Sequence, residues 1–225
     1  MIRTLFLLGG SGDIGKAIQQ KFIEKGYKVI APTRQEINLE DRESIENYFK
    51  DKNFAIDVLM NCAGVNEPKT FTTITYEDID KTLQINLLGF FRIIQHLLPG
   101  MIEQGNGHIL AISSIYGVIS RGKRLPYSMS KHALNALVKT LAIEFGELNI
   151  KVNSLSPGFV ETKLTRKNND EKTIKQLIEK IPLKRLATPE DVANASYMLC
   201  SVENTFISGQ NIIVDGGYTI GGFEK

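Results

Sequence analysis

The chain has few cysteines and no excess of either charge. Only Cys62 and Cys200 occur among 225 residues, too few for a disulfide scaffold, so we expect free thiols and a reducing, cytoplasmic location. There are 27 Lys and Arg against 25 Asp and Glu, and the net charge of +2 produces little long-range field to attract nucleic acid or membranes. Small molecules are therefore the expected partners.

Long apolar runs and linkers are also lacking. The first apolar run, TLFLL, is far too short to span a bilayer and continues into glycines rather than a cleavage site. We therefore expect no membrane span and no export signal. With 42% hydrophobic residues, the chain can bury one sizeable core. Because no repeat or low-complexity tract divides it, residues 1–225 are expected to form a single domain.

Short apolar runs rich in β-formers alternate with helical patterns along most of the chain. This alternation predicts a single-domain α/β fold of the Rossmann type, a doubly wound parallel sheet with helices on both faces. After the second run, a third short apolar element at residues 37–39 follows too soon for a crossover helix, so a loop or turn should connect them. The six predicted strands are residues 4–9, 27–31, 58–64, 107–113, 151–157 and 210–217.

The sequence LLGGSGDIGKAI joins the first predicted strand to a helix. Gly9, Gly12 and Gly15 would let the backbone approach a ligand closely, and a helix N-terminus stabilises negative charge. A dinucleotide pyrophosphate suits this loop, although a tight strand-to-helix turn needs the same glycines. Asp13 is expected to cap the helix with its carboxylate.

Motifs along essentially the whole chain resemble those of the short-chain dehydrogenase/reductase family. GGSGDIG is similar to the family's glycine-rich loop, and NCAG at 61–64 is similar to its NNAG strand end. QINLLG contains an asparagine at the family's active-site position, ISSIYG a serine, and YSMSK a YxxxK pair. SPGFVET resembles the loop that closes over nicotinamide, and ISGQNIIVDGG resembles the last strand of the branch that contains 3-oxoacyl-ACP reductases.

The resemblance implies an NAD(P)(H)-dependent oxidoreductase that transfers a hydride between nicotinamide and a ketone or secondary alcohol, most similar to 3-oxoacyl-ACP reductases. It also implies that Lys131 binds the nicotinamide ribose and that Asn86 holds a water linking Lys131 to solvent. The catalytic residues are then Asn86, Ser114, Tyr127 and Lys131. The implied cofactor-binding residues are Gly9, Ser11, Gly12, Asp13, Ile14, Gly15, Arg34, Asn38, Leu39, Asn61, Ala63, Gly64, Tyr127, Lys131, Pro157, Gly158, Val160 and Thr162.

The spacing of Tyr127 and Lys131 has a direct chemical meaning. Residues four apart lie on one face of a helix, so the ammonium of Lys131, together with a cationic nicotinamide, should lower the pKa of a phenol that ordinarily titrates near pH ~10. The hydroxyl of Ser114 would hold the substrate oxygen as negative charge develops on it. The alternatives are that Tyr127 and Lys131 form a surface pair and that Asn86 only caps a helix.

The end of the second predicted strand should decide which dinucleotide binds. Arg34 in APTRQE favours the 2′-phosphate of NADP(H), whereas Thr33 or Glu36 as an acceptor for the ribose 2′-hydroxyl would favour NAD(H). NADP(H) is the expected cofactor and NAD(H) the alternative. Asn38 and Leu39 should contact the adenine. No metal site is expected, because the three histidines have no partners at ligand spacing.

Two segments should form the rim of the substrate site. Arg121, Lys123 and Arg124 precede Tyr127, and a cationic mouth would favour an anionic substrate, although exposed charges often have no specific partner. Residues 162–184 are expected to form a helical lid that excludes water on closure. The substrate is expected to be a small or carrier-bound carbonyl compound.

Two alternatives to an acyl-ACP reductase stay open. One is a ketoreductase for a nucleotide sugar or phosphorylated sugar, and the other is a non-catalytic module that senses the dinucleotide. The resemblance further implies a homotetramer or homodimer, built through the helix after Asn86 and the helix that contains Tyr127 and Lys131.

Overall fold

The computed structural model describes residues 2–222, which contain one six-stranded parallel sheet with the strand order β2-β1-β3-β4-β5-β6. Each strand overlaps one of the predicted apolar runs, and the predicted fold class is confirmed. The strands are β1 (Thr4–Leu8), β2 (Lys28–Ile30), β3 (Val58–Asn61), β4 (Gly107–Ile112), β5 (Ile150–Pro157) and β6 (Asn211–Val214).

Helices cover both faces of the sheet because side chains alternate between the faces along each strand. In β1, Phe6 and Leu8 pack into one buried cluster with α2, α4 and α5, whereas Leu5 and Leu7 pack into another with α1 and α8. The helices are α1 (Asp13–Glu24), α2 (Arg42–Phe49), α3 (Tyr76–Leu83), α4 (Gly89–Gln104), α5 (Leu125–Phe145), α6 (Lys163–Asn168), α7 (Glu171–Lys180) and α8 (Pro189–Cys200).

The short apolar element at residues 37–39 does not form a strand, and a loop rather than a crossover helix precedes it, as predicted. It lies in the loop between β2 and α2, because no crossover helix returns the chain to run parallel to β2. Ile37 and Leu39 are nevertheless buried in the core. One edge strand is consequently β2, the other being β6. Strand β1 pairs with β2 on one side and with β3 on the other, which is the arrangement that opens a ligand crevice in such sheets.

A nearly continuous helical run extends from Tyr76 to Gln104 and contains a π-helical segment, Gln84–Leu88. It begins at a capping box formed by Thr75 and Asp78, so Asn86 lies inside the run and the interpretation of Asn86 as a helix cap was wrong. Within residues 2–222, this run alone is long and apolar enough to cross a membrane. Its apolar face, including Phe90, packs in the core as in the central helix of a globular domain.

Candidate active site

Two cavities open along the carboxyl ends of the strands and form one groove. The larger, of about 280 Å³, follows β1 and contains Gly12 and Arg34. The other, of about 160 Å³, follows β4 and β5 and contains Tyr127. Both are lined by Cys62, Ala63 and Gly64 after β3. The groove thus lies at the carboxyl ends of the strands, where this fold binds a dinucleotide.

The glycine-rich loop serves both packing and ligand access. Gly9 has a φ of +76°, and a Cβ there would lie 2.5 Å from the Ala63 nitrogen; a Cβ on Gly15 would lie 2.1 Å from the Gly9 oxygen. At Gly12 an added Cβ would meet only the Gly9 oxygen, at 3.5 Å. Since α1 begins there without a side-chain cap, its first N–H groups are available, and the loop fits a pyrophosphate.

Asp13 does not cap α1, contrary to the prediction. Its carboxylate accepts a hydrogen bond of 2.7 Å from the backbone N–H of Lys163 at the start of α6. The local rule failed because the first N–H groups of α6 also need acceptors and the fold brings them within reach. Asp13 therefore joins the glycine loop to the predicted lid.

The loop after β2 carries the residues expected to select the cofactor. Arg34 lines the groove and forms an ion pair of 2.6 Å with Glu40, which lines it too. Glu36 instead accepts hydrogen bonds from the backbone and hydroxyl of Thr33, at 2.8 and 2.9 Å, and these bonds lower the pKa of its carboxyl. Asn38 lines the groove and accepts from the Glu40 N–H at 3.2 Å.

Tyr127 and Lys131 lie on α5 inside the site, so the alternative of a surface pair was wrong. Lys131 is 3% exposed, and its Nζ lies 5.6 Å from the centroid of the Tyr127 ring. The same Nζ donates a hydrogen bond of 2.8 Å to the Ile112 carbonyl at the end of β4. This contact holds the ammonium beside the phenol and against the groove.

Burial dominates the protonation of both groups. It raises the pKa of Tyr127 to about 12, with a hydrogen bond to Ser114 acting in the opposite direction. It also lowers the pKa of Lys131 to about 8, with the Cys62 thiol opposing. The expected lowering of the phenol's pKa is therefore not produced by Lys131 in the protein alone, and Tyr127 is protonated at neutral pH.

Ser114 and Tyr116 extend the site from the end of β4. Ser114 lines the same cavity as Tyr127, and its Oγ accepts the Tyr116 N–H at 3.1 Å. The sequence reasoning missed Tyr116, whose ring is buried and lies edge-on to Tyr127 with centroids 6.3 Å apart. Its only sequence signal was its place two residues after Ser114.

Asn86 and Asn61 support the site without lining either cavity. Asn86 accepts from the Val65 N–H at 2.8 Å and donates to the Val65 carbonyl at 3.0 Å and to Ser130 Oγ at 2.9 Å. Asn61 accepts from the Ala63 N–H at 3.0 Å. Both amides fix the loop after β3, which forms the floor shared by the two cavities.

The segment expected to cover the nicotinamide follows β5. Pro157, Gly158, Val160 and Thr162 all line the site. Thr162 caps α6 by accepting the Thr165 N–H at 3.2 Å. The predicted lid contains two helices, α6 and α7.

The remaining predicted cofactor residues are divided between the cavities. Ile14 lines the cavity that contains Tyr127, and Ala63 and Gly64 line both cavities. Gly9, Ser11, Gly12, Arg34, Asn38 and Leu39 line the other. Gly15 and Asp13 line neither, because Gly15 packs against the loop and Asp13 is turned to α6.

Known proteins share this architecture. A family model described as enoyl-(acyl carrier protein) reductase matches residues 31–219. The 3-oxoacyl-[acyl-carrier-protein] reductase FabG of Aquifex aeolicus is 38% identical, covering 95% of this chain and 86% of its own.

Two solved structures are also similar over nearly their whole length. The structure described as ElxO with NADP bound has a TM-score of 0.89 at 27% identity, covering 98% of this chain and 100% of its own. A 4-hydroxyisoleucine dehydrogenase mutant complexed with NADH and succinate has a TM-score of 0.92 at 29% identity, covering 97% and 99%. The chain belongs to the short-chain dehydrogenase/reductase family, in its FabG-like branch of NAD(P)-dependent oxidoreductases.

Proposed function

We propose that this chain is an NADP(H)-dependent ketoreductase in which Tyr127 is the proton donor. The observation that supports this most is that Ser114, Tyr127 and Lys131 line one cavity, continuous with the dinucleotide groove. A bound nicotinamide would supply the hydride in reduction and accept it in oxidation. Side chains of this chain would donate the proton, hold the substrate oxygen and bind the cofactor ribose.

The protonation of Tyr127 fits the reductive direction. Because burial raises its pKa to about 12, the phenol carries its proton at neutral pH and can deliver it to the oxygen of a carbonyl that becomes an alkoxide. Ser114 is proposed to donate a second hydrogen bond to the same oxygen. Lys131 is proposed to bind the cofactor ribose and to favour the phenolate that remains after proton transfer.

Asn86 is proposed to position the floor of the site. Its side chain is already engaged with Val65 and Ser130, so its loss should displace the loop after β3. The water-holding role that the resemblance implies stays a prediction.

Arg34 supports the preference for NADP(H). Its guanidinium lines the groove, whereas Glu36, the rival acceptor for a ribose hydroxyl, is held by Thr33. NAD(H) is the alternative cofactor, and the similar structures contain one or the other.

Two substrate classes have specific support. The name of the A. aeolicus relative suggests a carrier-bound 3-oxoacyl thioester. A small anionic carbonyl compound is favoured by the buried guanidinium of Arg124 in the cavity wall, and the similar dehydrogenase structure holds succinate. A non-catalytic dinucleotide sensor is the alternative from another class.

The direct test follows deuterium from NADPH labelled at the transferred position into a neutral ketone, the N-acetylcysteamine thioester of 3-oxobutanoate. We expect one deuterium on the new carbinol carbon by mass spectrometry. Faster reduction of the same acyl group on acyl carrier protein would assign the carrier-bound class. NADPH binding without label transfer to this thioester, its carrier-bound form or a panel of oxo acids would favour the sensor.

The exposed apolar residues on α4 and α5 support an oligomer. Phe91, Leu125 and Met129 are 41%, 38% and 42% exposed, on the two helices where the resemblance implies subunit contacts. We propose a homotetramer or homodimer that buries them, and light scattering that finds only monomers would contradict this.

A further inference from the structure

Arg124 is a buried cation in the wall of the catalytic cavity. It occupies the N-cap position of α5, three residues before Tyr127, and is only 6% exposed. It lines the same cavity as Ser114 and Lys131. We infer that the guanidinium of Arg124 binds a carboxylate of the substrate, so that the substrate class is a small oxo acid or hydroxy acid. This inference rests on the proposed ketoreductase function and narrows it.

Within the part of the chain that the structure describes, the guanidinium of Arg124 has neutral partners, the Asn66 amide and the Tyr116 hydroxyl. Among residues 2–222, no Asp or Glu forms an ion pair with it, and its Nε has no hydrogen-bond partner. Its NH1 group lies 3.5 Å from Asn66 Oδ1, a long and neutral contact. By contrast, the more exposed Arg166 and Arg185 are each paired with a carboxylate.

An uncompensated buried cation is unfavourable in the free protein. Taking a guanidinium out of water costs several kcal/mol unless an anion and good hydrogen bonds replace the solvent. Burial lowers the pKa of Arg124, the Tyr116 hydroxyl opposes this, and the neighbouring Arg121 cation lowers it further. Even so, an arginine stays protonated at neutral pH. A bound anion would balance the charge of Arg124 and accept a hydrogen bond from its Nε.

The position of Arg124 sets where that anion would lie. Arg124 and the catalytic Tyr127 line the same cavity, so both side chains can face one ligand. An anion on Arg124 would then be a few bonds from a carbonyl oxygen at Tyr127 and Ser114. A neutral acyl thioester carries no such group.

A carboxylate matches the site better than a phosphate. The guanidinium fork binds a planar carboxylate through two parallel hydrogen bonds, and one negative charge balances the charge of Arg124. The other buried cation of the cavity, Lys131, already donates to the Ile112 carbonyl and is assigned to the cofactor ribose. A phosphate monoester dianion would need a second cation, and Arg121, which also lines the cavity, is exposed and forms only a long hydrogen bond of 3.5 Å to the Tyr116 hydroxyl.

The test compares oxo acids with their methyl esters as substrates of the NADPH-loaded enzyme. The probes are 2-oxobutanoate, 3-oxobutanoate and 4-oxopentanoate, each beside its ester. We expect kcat/KM for the best acid to exceed that of its ester by about 10- to 100-fold, the range of a buried charge-assisted contact. Arg124→Gln should abolish this preference, because it should lower kcat/KM for the acid and not for the ester. Lys123→Gln, which removes an exposed neighbouring charge, should retain it.

A binding measurement decides the matter if none of these compounds is turned over. Quenching of bound NADPH fluorescence gives dissociation constants for butanoate, butanamide and propyl phosphate. Butanoate should bind at least about 10-fold more tightly than butanamide, and Arg124→Gln should remove the difference. Tighter binding of propyl phosphate than of butanoate would replace the carboxylate site by a phosphate site and overturn the inference.

The failure of this inference is distinguishable from failure of the proposed function. Equal kcat/KM for acid and ester, or a preference that survives in Arg124→Gln, would overturn the carboxylate site while turnover of the ester upheld the ketoreductase. A fall in melting temperature of Arg124→Gln with unchanged discrimination would assign Arg124 to stability only. If that variant does not fold, two wild-type ratios test the inference: kcat/KM for the acid against its ester, and the dissociation constant for butanoate against that for butanamide.

Discussion

The carboxylate of Asp13 accepts a hydrogen bond of 2.7 Å from the backbone N–H of Lys163, 150 residues away in the sequence. Asp13 begins α1 directly after the glycine loop, and Lys163 begins α6 in the predicted lid. One hydrogen bond thus connects the proposed pyrophosphate site to the segment proposed to cover the nicotinamide. The contact turns the Asp13 carboxylate to a backbone N–H of α6 rather than to the glycine loop.

Loss of the Asp13 carboxylate should loosen α6. In Asp13→Ala we expect the Lys163 amide to exchange with deuterium about 5- to 10-fold faster, because a hydrogen bond to a charged acceptor is lost, and NADPH to dissociate faster. Lys163→Ala is the matched control, since it keeps the backbone N–H. Unchanged exchange in Asp13→Ala would show that the contact does not hold the lid.

The Arg34–Glu40 pair makes a prediction about cofactor choice. Arg34→Gln should raise the KM for NADPH by about 10- to 100-fold and leave that for NADH nearly unchanged, because only the 2′-phosphate needs the guanidinium. Glu40→Gln should strengthen NADPH binding by freeing Arg34 and removing a like charge. Arg42→Gln is the control, since Arg42 pairs with Glu46 on α2. Equal losses with both cofactors would contradict this account.

The buried ammonium of Lys131, which the proposed reaction requires, should lower the free energy of unfolding. Burial lowers its pKa to about 8, so the folded state holds the proton less tightly than the unfolded state. The resulting loss in the free energy of unfolding is absent above pH ~10.5. It grows as the pH falls from ~10.5 to ~8 and is complete below pH ~8. Lys131→Met should therefore raise the free energy of unfolding at pH 7 by on the order of 2 kcal/mol while abolishing turnover.

Urea unfolding measures this effect, and Lys139→Met, exposed on the same helix, is the matched control. A Lys131→Met protein less stable than wild type would show that the hydrogen bond from Lys131 to Ile112 outweighs the burial of its charge.

His108 should make the protein sensitive to acid. Burial, reinforced by the Arg3 cation, lowers its pKa to about 4; Arg3 lies 3.3 Å from Nδ1, and the Asn204 carbonyl lies 3.4 Å from Nε2. Between pH ~6.5 and ~4 the unfolded state takes up a proton on His108 that the folded state does not. The free energy of unfolding therefore decreases as the pH falls through this range.

The slope of the free energy of unfolding against pH should reach about 1.4 kcal/mol per pH unit in this range, and His108→Gln should reduce that slope. Urea unfolding at a series of pH values measures this slope. Equal slopes in wild type and His108→Gln would assign the acid sensitivity to other groups.

The six strands could be predicted because parallel strands covered on both faces are nearly continuous apolar runs, as in Thr4–Leu8. The same apolar pattern does not form a strand at residues 37–39. Ile37 and Leu39 are as apolar as strand residues, but they enter the core from a loop, and apolarity alone does not distinguish the two cases.

The site was predictable where its residues are close in sequence. Tyr127 and Lys131 share a helix face, so their spacing was informative. Contacts between distant segments were not predictable: the Asp13 carboxylate reaches Lys163 only because the fold brings α6 to the glycine loop. The burial of Arg124 likewise depends on the walls of the cavity, whereas its neighbours Arg121 and Lys123 are exposed.

The central claim is that Tyr127 donates the proton, and Tyr127→Phe tests it most directly. The measurement is single-turnover oxidation of enzyme-bound NADPH by the fastest ketone found, beside the dissociation constant of NADPH. The account predicts a rate about 10²- to 10⁴-fold lower with NADPH affinity nearly unchanged. A Tyr127→Phe enzyme that oxidises NADPH at the wild-type rate would contradict the assignment of Tyr127 and the mechanism built on it.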